Sequence, residues 1–182
     1  MLIDESGVLL SPLVRRSLAP RGQTPILPVP GGHRRKVSAI AGLSLSPRRR
    51  RLGLYFQTHP DQHIRNYEVV RFLRDLLRHL RGRVIAVWDN GPMHKGDPIR
   101  AFLARNRRLQ IEWLPPYAPE LNPVEALWNH IKYGQLANFA APDVETLDTA
   151  VTDCLVNAKF DSDMLRSFYK ATPLANIRTR VS

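Results

Sequence analysis

Cysteine is nearly absent: Cys154 stands alone, so the chain forms no internal disulfide and has no thiolate partner with which to hold zinc. Long apolar runs are missing as well. Nothing approaches the roughly 18 consecutive apolar residues of a membrane-crossing helix, and the N-terminus lacks the basic-then-apolar order of a secretory signal. A bacterial or nuclear interior is therefore expected rather than export. Aromatic residues are sparse at 8%, leaving few platforms for reading bases. Acidic residues are outnumbered, 16 against 27 Lys and Arg, for a formal charge of +11. An excess of that size points to a polyanion as partner, bound through its backbone charge. An arginine-favouring base composition of the gene is the bland alternative. What is abundant is apolar residue overall, 43% of 182 positions, enough for one domain with a proper core.

Residues 2–10, LIDESGVLL, read as a strand, followed to about Gly32 by a loop or loose hairpin rich in Pro, Gly and Arg. VSAIAGLSLS (37–46) and LGLYFQT (52–58) form two apolar runs around a basic turn, the pattern of antiparallel strands with Arg48 to Arg51 in solvent. From Asp61 to Arg81, the spacing of Ile64, Tyr67, Val70, Leu73, Leu77 and Leu80 predicts a helix with one buried stripe, and Arg65, Arg71, Arg74 and Arg78 on its other face. VIAVW (84–88) reads as a strand buried on both faces and ending at Asp89. A helix over 97–107, a strand over 109–114 and a proline-rich stop come next. A helix opens near Asn122, then two more over 143–157 and 161–170, each with an aspartate cap, and a frayed tail from Thr172. The order implies one α/β domain, a mixed five-stranded sheet flanked by helices, over residues 1–171, with 172–182 as tail.

Three acids stand out. Asp89 follows a buried strand, where open α/β sheets build their sites, although an Asx-turn explains a lone aspartate equally well. In ELNPVEALWNHIK, Asn122 suits an N-cap, Pro123 the first helical position, and Glu125 the third residue of a capping box. Glu125 is thus either a cap or a ligand. Asp4 and Glu5 are adjacent in a strand and point to opposite faces, so only one can join Asp89, and Asp4 is the choice if the first strand lies beside the fourth. Carboxylates gathered in this way repel one another unless divalent cations neutralise them. Oxygen-only ligation suits magnesium or manganese. His59 and His63 are four apart, but Pro60 between them argues against a metal pair.

Taken in order, DES, RGQTP, WDN with a histidine shortly after, and LPPYAPELNPVEALWNHIK resemble the DDE transposases of the mariner superfamily, particularly its bacterial insertion-sequence branch. The resemblance runs from Ile3 to the helix containing Lys132. It implies a ribonuclease-H-like fold, with the family's three catalytic acids on Asp4, Asp89 and Glu125, the last two separated by 35 residues. It also implies that Glu125 is a ligand first and a cap second. Two Mg2+ or Mn2+ ions would catalyse DNA cleavage and strand transfer without a covalent enzyme intermediate. Asn90, His94, Asn122, Trp128 and Lys132 become candidates to support the acids or touch DNA, with Trp128 read first as a core residue and Lys132 readable as solvated.

Family members carry a helix-turn-helix region before the first catalytic strand, and here only Met1 to Ile3 precede Asp4. The expectation is a chain that holds DNA through backbone charge and lacks most recognition of element ends. That region would be separately encoded or lost. Partners implied are transposon ends, target DNA and a second copy in the working complex, in a bacterial cytoplasm near the nucleoid. A DNA-bound regulatory remnant without chemistry is the alternative reading. Another ribonuclease-H-like nuclease, such as a junction resolvase, is opposed by PPYAPELNPVE.

Overall fold

The computed structural model describes residues 1–27, 35–46 and 51–173. Five strands form one sheet in the order β3-β2-β1-β4-β5, with β1 Leu2–Leu9, β2 Lys36–Leu45, β3 Leu52–Pro60, β4 Val84–Trp88 and β5 Leu109–Trp113. β1, β2 and β3 pair antiparallel, whereas β4 runs parallel to both β1 and β5. This is the mixed sheet expected from the element order. β1 is central, so its residues alternate between two cores. Leu2 faces one with β2, β3 and the later helices. Ile3 faces the other with the helices that flank β4.

Helix α1, Asn66–His79, and α2, Asp97–Arg105, cover the Ile3 face. Helices α3, Pro123–Asn129, α4, Val144–Phe160, and α5, Ser162–Lys170, cover the Leu2 face. Both aspartate caps form: the Asp143 carboxylate accepts from Thr146 N at 2.7 Å, and Asp161 accepts from Met164 N at 2.8 Å. β2 is buried along most of its length because sheet neighbours and helices enclose it on all sides, which suits its small Ser, Ala and Gly residues.

Three sequence expectations need correction. β3 runs on to Pro60, and α1 starts only at Asn66, so the predicted helix loses its first turn. Its buried arc is Val69, Val70, Phe72, Leu73, Leu76 and Leu77, and Tyr67, outside that arc, is 74% exposed. β4 is not buried on both faces: Ile85 is 51% exposed, because the α3–α5 layer sits over β1–β3 and stops short of it. Thr172, expected at the start of a frayed tail, is buried and donates to Tyr169 O at 2.8 Å. The remaining tail from 174, the loop residues 28–34 and Arg48 to Arg50 lie outside the described residues, while Arg51 is exposed. Residues 11–27 contain neither helix nor strand and are pinned where Asn138 N donates to Leu13 O at 2.9 Å. The alternating sidedness of β1 and the parallel β1–β4 pairing set the geometry of everything that follows.

Candidate active site

Asp4, Asp89 and Glu125 line one open cleft of about 390 Å³ at the carboxyl end of β4, together with Asn90 and Asn122. Each acid arrives by a different route. Asp4 sits in β1 on the Leu2 face, Asp89 follows the last residue of β4, and Glu125 lies in the first turn of α3.

Asp4 is the electrostatic centre. Burial, then the nearby Glu125, then Glu5, and last Asp89 push its carboxyl from the ordinary 3.8 up to about 8, against a hydrogen bond from Trp128 that pulls it down. Trp128 Nε1 donates to Asp4 Oδ2 at 2.8 Å while the indole is buried in the α3 core, so Trp128 is both packing residue and support for the site. A carboxyl held this far above its usual range lacks a counter-charge. The acids that press on it, Glu125 and Asp89, offer oxygen ligands, which fits a hard divalent cation such as magnesium or manganese.

Asn122 settles how α3 begins. Its Oδ1 accepts from Val124 N at 3.2 Å, and its Nδ2 donates to Ile3 O at 3.2 Å, tying the helix start to β1 beside Asp4. The Asn122 N–H donates to Pro119 O at 2.9 Å, so the backbone donor that a capping box would need from Glu125 is already used. Glu125 therefore faces the cleft and not its own helix terminus. Past Asn129 the helix widens into a π-helical turn, His130–Gln135, which carries Lys132. Burial lowers the Lys132 ammonium while Glu125 and Asp4 pull it up, but among the described residues Lys132 makes no ion pair with either acid and lines a separate cavity with Leu9 and Tyr133.

Asp89 makes the Asx-turn anticipated as its simple reading: Gly91 N donates to Asp89 Oδ1 at 2.9 Å. That same oxygen lies 3.0 Å from His94 Nε2. Asp89 thus makes the local turn with one oxygen while its side chain still lines the cleft. A Cβ at Gly91 would meet Met93 Sδ at 2.5 Å and Asp89 Oδ1 at 3.0 Å, so a side chain here would crowd the Asp89 carboxylate.

His94 lies in a 3-10 turn, Pro92–His94, with its side chain 1% exposed and its ring stacked on Trp88 at 4.4 Å between centroids. Asn66 Nδ2 donates to Met93 O at 3.0 Å and to Lys95 O, so the first residue of α1 fixes this turn. The second contact of His94 Nε2 is Glu5 Oε2 at 3.3 Å. Neither carboxylate contact has hydrogen-bond alignment, so both count as close polar contacts only. Glu5, 11% exposed, does point away from Asp4, as strand alternation requires, but it still reaches Asp89 through His94. Sequence reasoning missed Glu5 and Asn66; the adjacency of two acids in β1 was the available signal for the first. Asn90 is exposed at the rim of the cleft. His59 is buried in β3, and His63 Nδ1 lies 3.1 Å from Lys36 Nζ in solvent. Among the described residues no three His, Cys, Asp or Glu side chains are gathered as a ready-made metal cage.

The fold is that of known proteins. Over 96% of this chain and 52% of the other, it superposes on the Mos1 strand transfer complex with a TM-score of 0.66 at 17% identity. The Mos1 transposase paired-end complex with left transposon end gives 0.64 at 17% identity, over 93% and 50% of the two chains. The Mos1 mariner paired-end complex with Mg gives 0.61 at 19%, over 93% and 52%. The chain thus spans about half the length of these structures and shares their ribonuclease-H-like fold. No curated protein sequence matches it. A family profile described as DDE superfamily endonuclease matches residues 1–148, from the strand bearing Asp4 to beyond the helix bearing Glu125. With most of its length inside that match, the chain belongs to the DDE superfamily endonucleases.

Proposed function

We propose that the chain is the catalytic domain of a DNA transposase of the mariner superfamily, in its bacterial insertion-sequence branch, cutting and joining DNA with two divalent cations. The observation that carries this reading is the meeting of Asp4, Asp89 and Glu125 on one cleft in a DDE superfamily chain. When bound, magnesium or manganese supplies an activated water or DNA 3′-hydroxyl and stabilises the departing oxygen of an in-line phosphoryl transfer. Asp4, Asp89 and Glu125 are the proposed ligands. A two-cation arrangement asks each ion for only one or two protein carboxylates, with water and phosphate completing the shell, so a three-residue cage is not required. The similar Mos1 structures include complexes with Mg, with Mn and with transposon ends, which supports divalent cations and DNA here.

His94 steadies the Asp89 carboxylate, and Lys132 offsets the negative charge of Asp4 and Glu125 before a cation arrives. Asn90 is placed to meet DNA at the rim. The exposed arginines Arg65, just before α1, and Arg71, Arg74 and Arg78 on it, add to a formal charge of +11 that draws the phosphate backbone without reading sequence. Pairing of two element ends belongs to a homodimer, acting at the bacterial nucleoid. Among the described residues no helix is long and apolar enough to cross a membrane.

The test is nicking and strand transfer on short duplexes, including pre-cleaved ends, comparing the chain with Asp89→Asn in magnesium or manganese. Metal-dependent product, lost in the variant, is expected. The competing reading, a DNA-bound regulator without chemistry, draws on the lack of a gathered three-residue cage. It predicts DNA binding with no product in either protein.

A further inference from the structure

The cleft is lined by two unlike sets of residues: the acids Asp4, Asp89 and Glu125, and an apolar wall of Leu114, Pro115, Pro116, Tyr117 and Pro119. Tyr117 is unusual on that wall. It is 102% exposed, so its ring is not packed against the described residues, and its φ of 58° lies in the left-handed region that a bulky side chain rarely adopts. Prolines at 115, 116 and 119 restrict the backbone around it, so the ring is presented from a stiff segment. A bare aromatic held in an uncommon conformation beside a reactive cleft calls for an occupant with a flat apolar face.

We propose that Tyr117 is the stacking platform for the nucleobase of the terminal nucleotide whose phosphate or 3′-hydroxyl enters the carboxylate cleft. This rests on the transposase reading and adds a substrate contact to it. A nucleotide has the two chemistries that the walls ask for: a phosphate for the cation-bearing acids and a planar base for the ring. Stacking is tolerant of base identity, because every base presents a π-face. Tyr117 therefore orients the strand end without selecting its sequence. The net positive charge of the chain favours a strand of nucleic acid over an acidic-poor peptide or a second basic copy as occupant.

The full chain is tested with a short pre-cleaved duplex carrying 2-aminopurine as its 3′-terminal base, in calcium to permit binding without cleavage, and for nicking in magnesium. Stacking quenches that fluorophore. Wild type and Tyr117→Phe are expected to quench it on binding. Tyr117→Ala is expected to leave it bright and to bind the end roughly 5- to 150-fold more weakly, the range for loss of one base–aromatic stack. Circular dichroism is expected to be unchanged for this fully exposed side chain. Equal quenching and affinity in Tyr117→Ala overturn the proposal. So does a wild type that nicks DNA yet never quenches, a result that leaves the transposase reading standing. A shift of Tyr117→Ala from dimer to monomer with DNA affinity intact overturns it in favour of a second copy on the wall. Wild-type chain that neither binds nor nicks DNA removes the transposase reading and the platform together.

Discussion

Trp128 Nε1 donates a hydrogen bond of 2.8 Å to Asp4 Oδ2, across a separation of 124 residues in sequence. A core side chain of α3 thereby holds the carboxylate at the centre of the cleft. Replacing Trp128 by Phe keeps most of the apolar volume and deletes the donor. Losing a hydrogen bond to an ionisable group, with a small cavity added, is expected to cost about 2–3 kcal/mol in urea denaturation. Manganese affinity, read by calorimetry, should fall in the same variant, because among the described residues no other hydrogen bond orients Asp4 Oδ2.

Asp4 also dictates a pH dependence. Its carboxyl sits near 8 in the folded, metal-free chain against 3.8 when unfolded. Between those values the folded state keeps a proton that the unfolded state has released. The contribution is complete below about pH 4, declines as pH rises through the window, and is gone above about 8. In EDTA, the urea midpoint of wild type minus that of Asp4→Asn should therefore fall from pH 5 to pH 8. Cation binding must expel this proton, so manganese affinity should rise over the same interval and then level off. A pH-independent difference between the two proteins would contradict the assignment.

Glu5 and His94 should be energetically coupled. His94→Ala leaves Glu5 buried with no polar neighbour at its Oε2, and Asp89 Oδ1 with only the Gly91 N–H. Made in a Glu5→Gln background, the same change has less to disrupt. A double-mutant cycle by thermal unfolding should return a coupling of roughly 0.5–3 kcal/mol. A value near zero would reduce the contact to mere proximity.

Asn122 caps α3 and ties it to β1, so its loss should be felt twice. Asn122→Ala removes the cap and the bond to Ile3 O, at an expected cost of about 2 kcal/mol in chemical denaturation. Because that bond also sets the spacing between Glu125 and Asp4, metal-dependent nicking should drop further than stability alone explains. Asn122→Ser restores the cap without reaching Ile3 and should recover stability more than activity.

The sheet was legible because its strands are bounded by strong turn chemistry and its helices by apolar spacing. Asp143 and Asp161 were readable as caps for the same local reason. Apart from element boundaries and the local bond that holds Thr172, the errors are tertiary. Ile85 belongs to a run as apolar as a doubly covered strand, yet the helices that would cover it lie over β1–β3. Tyr67 fits helical spacing but falls beyond the arc that meets the sheet. Glu5 illustrates the limit best: alternation assigned it the correct face, while the turn that brings His94 under that face depends on Asn66, nearly thirty residues away. Glu125 was ambiguous in sequence because its cap role depends on a backbone donor, and only the fold reveals that Pro119 O has taken it.

The parallel pairing of β1 with β4 joins Leu2 to Val87, and through it the strand of Asp4 to the strand that delivers Asp89. Contacts so distant along the chain close late, after the local hairpin of β2 and β3 has the means to form. A chain emerging from the ribosome therefore carries these three acids scattered, and the cleft exists only in molecules that have completed their sheet.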